Sequence, residues 1–382
     1  MNYLQYIGSV WAGHRPDALP RFLVSGVDTG VRQIVGRDIV QFCRARGKLL
    51  FLLDNIQNTA AFGRELEGYR VVDMLSGQVS LCADLLEVSS LQNISRLRDF
   101  LSGLGFENLR AMKVISYLSF VKETERRLGS CTPLTAEVLE EYSGTMLVQW
   151  KLERLVRAGK LSQDSCTYLL GKYAEVSGAA ADFEMFLSLL SPFLRGKAPS
   201  CDMAVHLPVG SFTADKPLQE LMTKLMLAYI RHDPARCAVL ILDDGKGGDR
   251  SFLIGMLKNL PLTASVHMFS NDAFSFDDAA LNVMMNTFSV RIYTRHEDMV
   301  SAEKIQDRCG QIDVVRKTTS VTVDKRFRAN SAWDMLFGTN YTQTETNNAP
   351  VREYRFRKET IHSLEAGTGI LDCAGNQIPF SF

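Results

Sequence analysis

The stretch that decides the fold runs from Arg21 to Asp54, with the sequence RFLVSGVDTGVRQIVGRDIVQFCRARGKLLFLLD. Residues 22–24 are a short apolar run that ends at a Ser-Gly pair, which indicates a buried strand entering a tight turn. From Ile34 the apolar residues recur at helical spacing, and Gly47 is a plausible helix stop. Residues 49–53 are uniformly apolar, as in a parallel strand covered on both faces. The stretch therefore predicts strand, turn, helix and strand.

In a P-loop protein this turn would carry the phosphate-binding pattern GxxxxGK[ST]. With Gly30 on the second glycine, Ser25 replaces the first glycine, Val31 the lysine and Arg32 the Ser/Thr. The candidate cofactor-binding residues are those of the whole turn: Ser25, Gly26, Val27, Asp28, Thr29, Gly30, Val31 and Arg32. The frame of a phosphate loop is present, but most of its chemistry is replaced.

Each replacement removes a defined function. In a P-loop the lysine reaches the β- and γ-phosphates and the hydroxyl holds Mg²⁺; valine does neither, and arginine cannot ligate a metal. Asp28 would place a carboxylate in a loop that should cradle anions. One interpretation is an α/β turn without a ligand. The other is weak or altered nucleotide binding, so we expect no cofactor unless an atypical site takes ATP and Mg²⁺.

Composition limits the class of protein. The 382 residues are 46% hydrophobic, with 43 basic and 43 acidic side chains, so zero net charge argues against a protein devoted to nucleic-acid binding. The eight cysteines form no CxxC pair and have no histidine at ligand spacing, so we expect no structural metal and a reducing compartment. No apolar run approaches the ~20 residues of a membrane span, and no signal-peptide pattern opens the chain. We therefore expect a cytoplasmic protein.

Periodicity divides the chain into three parts. Residues 1–90 alternate strand and helix, which predicts the first part of an α/β domain with a mainly parallel sheet. Residues 91–200 are helical throughout, with glycine stops, and predict an all-helical insertion domain. Residues 201–382 return to alternating strands and helices and end in a β-rich tail. Within that tail we expect the polar run 339–350, TNYTQTETNNAP, to be a mobile loop.

Two later strands end in polar pairs. Asp243-Asp244 closes a very apolar strand where a Walker B acidic pair would hold Mg²⁺ and orient water. Asn271 follows the next strand, where a polar sensor residue would contact the γ-phosphate. The simpler interpretation is that acidic residues and turns commonly end α/β strands. These motifs alone assign no catalytic residue.

The order of these pieces resembles a known family, the conjugative coupling proteins of type IV secretion (the TraG/TraD group of RecA-like motor ATPases). The resemblance covers nearly the whole chain. It rests on the turn at 25–32, LLFLLDN at 49–55, GYRVVDMLSG at 68–77, the helical insertion, VHLPVGSF at 205–212, AVLILDD at 238–244, ASVHMFSND at 264–272, RIYTRHEDMVSAEKIQDRCG at 291–310 and VREYRFRKETIHSLEAGTGIL at 351–371. It implies a RecA-like P-loop fold in which residues 22–24 and the strand ending at Asp243 lie side by side in one sheet.

Members of that family form ring hexamers that use ATP to pass DNA or protein to a secretion channel, and their helical insertion recognises substrates. This sequence departs from them at Val31 and Arg32 and has no N-terminal membrane helices. The resemblance thus implies a soluble pseudo-ATPase or scaffold that binds protein partners of a DNA-transfer or secretion machinery, as a monomer or small oligomer. The alternatives are an ATPase with an atypical site, using Arg32 and Asp243, and a DNA-binding module using Lys325 and Arg326.

Overall fold

A computed structural model describes residues 3–10, 20–54, 62–82, 86, 91–129, 134–208, 216–243, 251–326, 339–373 and 375–382. The described strands are β1 (Phe22–Ser25), β2 (Leu49–Asp54), β3 (Arg70–Asp73), β4 (Met203–Pro208), β5 (Cys237–Asp243), β6 (Ser265–Ser270), β7 (Val290–Tyr293), β8 (Gln311–Arg326), β9 (Thr339–Tyr354), β10 (Thr368–Cys373) and β11 (Asn376–Ser381).

The described helices, numbered in chain order, are α1 (Tyr3–Val10), α2 (Thr29–Ala45), α3 (Leu91–Gly103), α4 (Asn108–Arg127), α5 (Ala136–Glu140), α6 (Thr145–Arg157), α7 (Gln163–Val176), α8 (Ala180–Leu194), α9 (Lys216–His232), α10 (Ser251–Asn259), α11 (Asp278–Thr287), α12 (Met299–Cys309) and α13 (Lys358–His362). None of these helices is both long enough and apolar enough to cross a bilayer.

Nine strands form one sheet in the order β11-β10-β7-β1-β6-β5-β2-β4-β3. Neighbours from β7 to β3 are parallel, and only β10 and β11 run antiparallel to their neighbours. The predicted α/β class with a mainly parallel sheet is confirmed.

The position of β1 relative to β5 differs from the prediction. Both strands belong to the same sheet, but the expectation that they lie side by side is wrong, because β6 lies between them. Ser270 at the end of β6 is in register with Ser25 of β1 and with Asp243 of β5. Asn271, the residue after β6, is thereby placed between the carboxyl ends of β1 and β5.

Helix α2 packs on the central strands through its apolar face. Val31, Val35, Ile39 and Cys43 of this helix are buried in one cluster with residues of β1, β2, β5, β6 and β7. Burying these side chains removes apolar surface from water, which is the main stabilising contribution to a core of this kind. The same packing fixes the first turn of α2 above the end of β1.

Between β3 and β4 the described elements are α3 to α8 and short 3-10 turns. Gly144, with a φ of 89°, separates α5 from α6. An aromatic cluster fills this region, with Tyr117 stacked on Phe183 at 4.3 Å between ring centroids. Tyr117 also donates a hydrogen bond to the Tyr142 carbonyl at 2.7 Å.

The predicted domain boundaries, which divide the chain into 1–90, 91–200 and 201–382, stay predictions.

The chain separates into two compact units, residues 1–294 with 366–382, and residues 295–365. The second unit contains α12, α13 and a hairpin in which β8 and β9 pair along sixteen residues each. The expectation of a mobile loop over 339–350 is wrong, since these residues belong to β9. Its threonines favour extended backbone, and every position has a partner in β8.

Candidate functional site

The carboxyl ends of β1, β6, β5 and β2 lie next to one another along one edge of the sheet. Ser25, Ser270, Asp243 and Asp54 are the last residues of these strands, and all four are buried. In open α/β sheets the crevice outside this edge is where ligands bind. The predicted site residues Ser25, Asp243 and Asn271 are thus brought to one place.

The turn between β1 and α2 is shorter than the prediction of a loop over 25–32. Ser25 is still part of β1 and Thr29 already begins α2, so only residues 26–28 link the two. Gly26 has a φ of 126°, which favours glycine, and its N–H donates to the Ser270 carbonyl at 3.0 Å. This turn therefore has three residues, whereas the P-loop pattern has four residues between its two glycines.

Asp28 closes the amino end of α2. Its Oδ1 accepts a hydrogen bond from the Val31 N–H at 3.0 Å, and its Oδ2 accepts one from the Gly367 N–H at 2.7 Å. A helix amino end carries exposed N–H groups and a partial positive charge, and it is a common place for an anion to bind. Here a carboxylate of the chain itself takes that position. The carboxylate that we expected to repel phosphate thus acts as the N-cap of α2.

Val31 and Arg32 face different surroundings. Val31, at the position of the P-loop lysine, is fully buried within the core. The guanidinium of Arg32 donates a hydrogen bond to Asn271 Oδ1. Burial lowers the pKa of Arg32, while the Asp243 and Asp54 carboxylates oppose that change. A fixed cation therefore stands where the metal-binding hydroxyl of a P-loop would be.

The end of β5 is joined to the end of β6. The Ser270 hydroxyl donates to Asp243 Oδ2 at 2.6 Å, and the Asn271 N–H donates to the Asp243 carbonyl at 3.1 Å. Asp243 and Asn271 thus lie next to each other at this edge of the sheet. Asp244, the second acidic residue of the predicted pair, lies outside the described residues.

Three residues of this site were not singled out from the sequence. Asp54 was noted only as the end of an apolar run, and it is 1% exposed at the edge of the sheet. The Thr294 N–H donates to the Ser25 carbonyl at 2.9 Å, and Gly367 contacts Asp28. A strand ending in aspartate could have indicated Asp54. No local pattern indicates Gly367, because it approaches from more than 300 residues away in the sequence.

The described residues of this edge lack the lysine and the metal-binding hydroxyl of a P-loop. The Ser25 hydroxyl accepts a hydrogen bond from the Ala273 N–H at 3.1 Å and is fully buried, so it does not stand in for the missing hydroxyl at Arg32. Asp28 holds the helix end where a phosphate would bind. Elsewhere in the described ranges, no group of three or more His, Cys, Asp or Glu side chains is placed to hold a metal ion.

No protein-family model matches the sequence, and no match is found among the curated proteins. Among solved structures, the chain is similar to the bacterial conjugative coupling protein TrwBdeltaN70, with 14% identity, a TM-score of 0.45, and coverage of 97% of this chain and 90% of that one. TrwB in complex with ADP and Mg²⁺ gives 14% identity, a TM-score of 0.46 and the same coverage.

VirB4 of Thermoanaerobacter pseudethanolicus is similar at 10% identity and a TM-score of 0.45, covering 95% of this chain and 89% of that one. TrwB, in both of its structures, is a coupling protein.

Proposed function

We propose that this chain is a non-hydrolysing protein of the RecA-like fold, a binding or scaffold component related to the coupling proteins of conjugative DNA transfer and type IV secretion. The observation that carries the proposal is the position of Asp28. Its carboxylate caps α2 and also binds the Gly367 N–H. A phosphate approaching this end would meet a like charge and would have to displace both hydrogen bonds.

The absence of a phosphate-binding lysine supports the same conclusion. Val31 is part of the core, so no side chain at that position reaches a nucleotide. In P-loop enzymes the lysine supplies the charge that stabilises the transferred phosphoryl group. With this residue buried and apolar, neither tight binding nor turnover is expected.

An ATPase with an atypical site remains the alternative. In that case Arg32 would bind phosphate and Asp243 would bind metal. The presence of a half-buried cation beside two carboxylates favours it. However, Arg32 would first have to release Asn271. We therefore place the non-hydrolysing function first.

The test is a calorimetric titration with Mg-ATP and with Mg-ADP, paired with an ATP-turnover assay. We expect no saturable heat in the micromolar range and no turnover. The Asp243→Asn variant is the control, since a turnover of equal size in both proteins arises from a contaminating ATPase. Saturable binding, or a turnover that Asp243→Asn abolishes, would overturn the proposal and establish the atypical ATPase.

The proposed partners are proteins of a DNA-transfer or secretion machinery, with the chain itself a monomer or small oligomer. Light scattering that finds a hexamer without nucleotide would contradict the expected monomer or small oligomer. Direct DNA binding is a separate possibility that rests on Lys325 and Arg326 of β8, whose side chains lie outside what the structure describes. Its sign would be a salt-dependent retention on DNA that is lost when both residues are changed to alanine.

A further inference from the structure

Two stretches of chain connect the two compact units. The second unit, residues 295–365, begins directly after Thr294 and ends directly before Ala366. We call it the hairpin unit, because it contains β8 and β9. The chain leaves the first unit at one of these points and re-enters it at the other, so the residues beside them decide how freely the hairpin unit moves.

Both connections are bound to the turn between β1 and α2. The Thr294 N–H donates to the Ser25 carbonyl at 2.9 Å, and Thr294 is fully buried. The Gly367 N–H donates to Asp28 Oδ2 at 2.7 Å. Ser25 is the last residue of β1 and Asp28 is the N-cap of α2. We call these two residues the anchor, because each holds one of the connections.

Gly367 is held from two sides. In addition to its bond to Asp28, its carbonyl accepts a hydrogen bond from the Phe382 N–H at 2.8 Å, next to the pairing of β10 with β11. Its φ of 78° favours glycine, the residue with the widest choice of backbone conformations. Such a residue can redirect the chain once a bond that holds it is released.

Within the hairpin unit, the two connections are bound to each other. His362 Nδ1 lies 2.9 Å from the His296 carbonyl oxygen. A carbonyl oxygen only accepts hydrogen bonds, so Nδ1 carries the hydrogen and donates it. This bond joins the first connection to the second, so that loosening of one affects the other.

We propose that the anchor is the fixed side of a hinge and that Asp28 is the positioning residue that restrains the hairpin unit. The inference rests on the proposed function, because a turn that does not bind nucleotide is available for this second use. It links the edge of the sheet to the freedom of the hairpin unit. A protein that binds at Asp28 and displaces Gly367 thus loosens the hairpin unit, and the coupling acts equally in the reverse direction.

The experiment measures hydrogen exchange at the Gly367 amide, without nucleotide, in the wild type and in Asp28→Asn. Asparagine remains a good N-cap, but it offers one carbonyl oxygen where Asp28 uses two. An asparagine that caps α2 therefore no longer holds Gly367. Asp277→Asn is the matched control, because Asp277 caps α11 through the Ala280 N–H. Trypsin cleavage after Arg295, read by mass spectrometry, reports on the other connection.

We expect Asp28→Asn to speed exchange of the Gly367 amide by about tenfold or more, as the loss of a hydrogen bond to a carboxylate implies. Cleavage after Arg295, which is exposed and directly follows Thr294, should become faster as well. Exchange in the middle of α2 should not change, and Asp277→Asn should show none of these effects.

Three results would overturn the proposal. The first is an unchanged exchange rate at Gly367. The second is faster exchange there with unchanged cleavage after Arg295, because the two connections would then move independently. The third is equal acceleration at Gly367 and in the middle of α2, which would indicate a general loss of stability.

A second variant serves if Asp28→Asn does not fold. His362→Ala removes the bond between the two connections and leaves the anchor in place. The Thr294 and Gly367 amides should stay protected in this variant, because Ser25 and Asp28 still hold them. Loss of protection at either amide would show that the anchor does not fix the connections. Failure of the proposed function would appear separately, as Mg-ATP binding to the wild type.

Discussion

Asp28 Oδ2 accepts a hydrogen bond from the Gly367 N–H at 2.7 Å, which ties the start of α2 to the residue that precedes β10. The other oxygen of the same carboxylate caps α2 through the Val31 N–H. One side chain thus joins two segments of the chain that are separated by most of the sequence. It does so at the helix end that a P-loop protein reserves for phosphate.

Replacing Asp28 by alanine should therefore cost more than the loss of an ordinary helix cap. A cap contributes about 1 kcal/mol, and a hydrogen bond to a charged group contributes about 1.5–3 kcal/mol. We expect Asp28→Ala to lower the free energy of unfolding by about 2–3 kcal/mol, measured by denaturant titration. Asp28→Asn, which keeps an acceptor for the cap, should cost less.

Asp277 offers a matched control. It caps α11 with a bond from the Ala280 N–H at 2.7 Å. Asp277→Ala should cost about 1 kcal/mol, the contribution of a cap. Equal losses for the two alanine variants would mean that the contact with Gly367 contributes nothing to stability.

Acid sensitivity should arise from His267 in β6. The side chain is fully buried, and neither ring nitrogen has a hydrogen-bond partner in the described part of the chain. Burial, together with the positive charges of Lys48 and Arg21, lowers the pKa of His267 to about 3. The unfolded chain, with a histidine pKa of about 6.5, takes up a proton that the folded chain refuses. Stability is therefore full above about pH 6.5 and falls as the pH drops towards 3, by up to about 1.4 kcal/mol per pH unit.

Urea titrations between about pH 7 and pH 4.5 measure this slope. His267→Leu and His267→Asn both remove the titration, so both should flatten the dependence by the same amount. Only His267→Leu also removes the two unsatisfied buried nitrogens, and it should be the more stable variant at neutral pH. An unchanged slope in both variants would assign the acid sensitivity to other groups.

Much of the fold follows from local pattern. The apolar runs at 49–53 and 238–242 became β2 and β5, because strands buried on both faces require uniformly apolar residues. The helices α2 and α9 were equally visible from their spacing. The order of the strands in the sheet could not be predicted, since nothing in residues 265–270 indicates that β6 pairs with both β1 and β5.

The site was predictable only where its residues are close in sequence. From the sequence, Asp28 was identified only as a carboxylate in a loop that should bind anions. Its use as an N-cap could also have been inferred, because it directly precedes a helix. The contacts of Gly367 with Asp28 and of Arg32 with Asn271 join distant segments, so only the folded chain shows them. The polar run 339–350 had the composition of a loop, yet β8 provides its strand partner.

The antiparallel edge of the sheet should depend on an ion pair between β7 and β10. Arg291 Nη1 lies 2.7 Å from Asp372 Oδ2, the two residues are in register, and the side chains are 23% and 6% exposed. Removing one partner leaves a buried charge, so Arg291→Met or Asp372→Ala should cost about 2–4 kcal/mol. The double variant Arg291→Leu/Asp372→Leu should recover most of that loss, since an apolar cross-strand pair replaces both charges.

The exposed pair Arg157 and Glu153 provides the comparison, with side chains 79% and 57% exposed. Changing Arg157 to methionine should have little effect on the unfolding midpoint, because water screens an exposed pair. If the double leucine variant were no more stable than either single variant at the buried site, the ion pair would not be the interaction that stabilises this edge.

Replacing Gly36 by alanine should destabilise the protein, although the same change normally stabilises a helix. A Cβ on this residue in the middle of α2 would lie 2.2 Å from Phe62 Cζ, and the Phe62 ring packs on Phe269 at 5.5 Å between centroids. Alanine gains about 1 kcal/mol of helix propensity over glycine, but overpacking a core costs about 1–3 kcal/mol. We expect Gly36→Ala to lower the unfolding midpoint and Gly36→Ala/Phe62→Leu to restore part of it.

Gly171 in the middle of α7 is the control, because nothing lies within 4 Å of a Cβ added there. Gly171→Ala should therefore stabilise the protein. Stabilisation at both positions would show that Phe62 moves aside without cost.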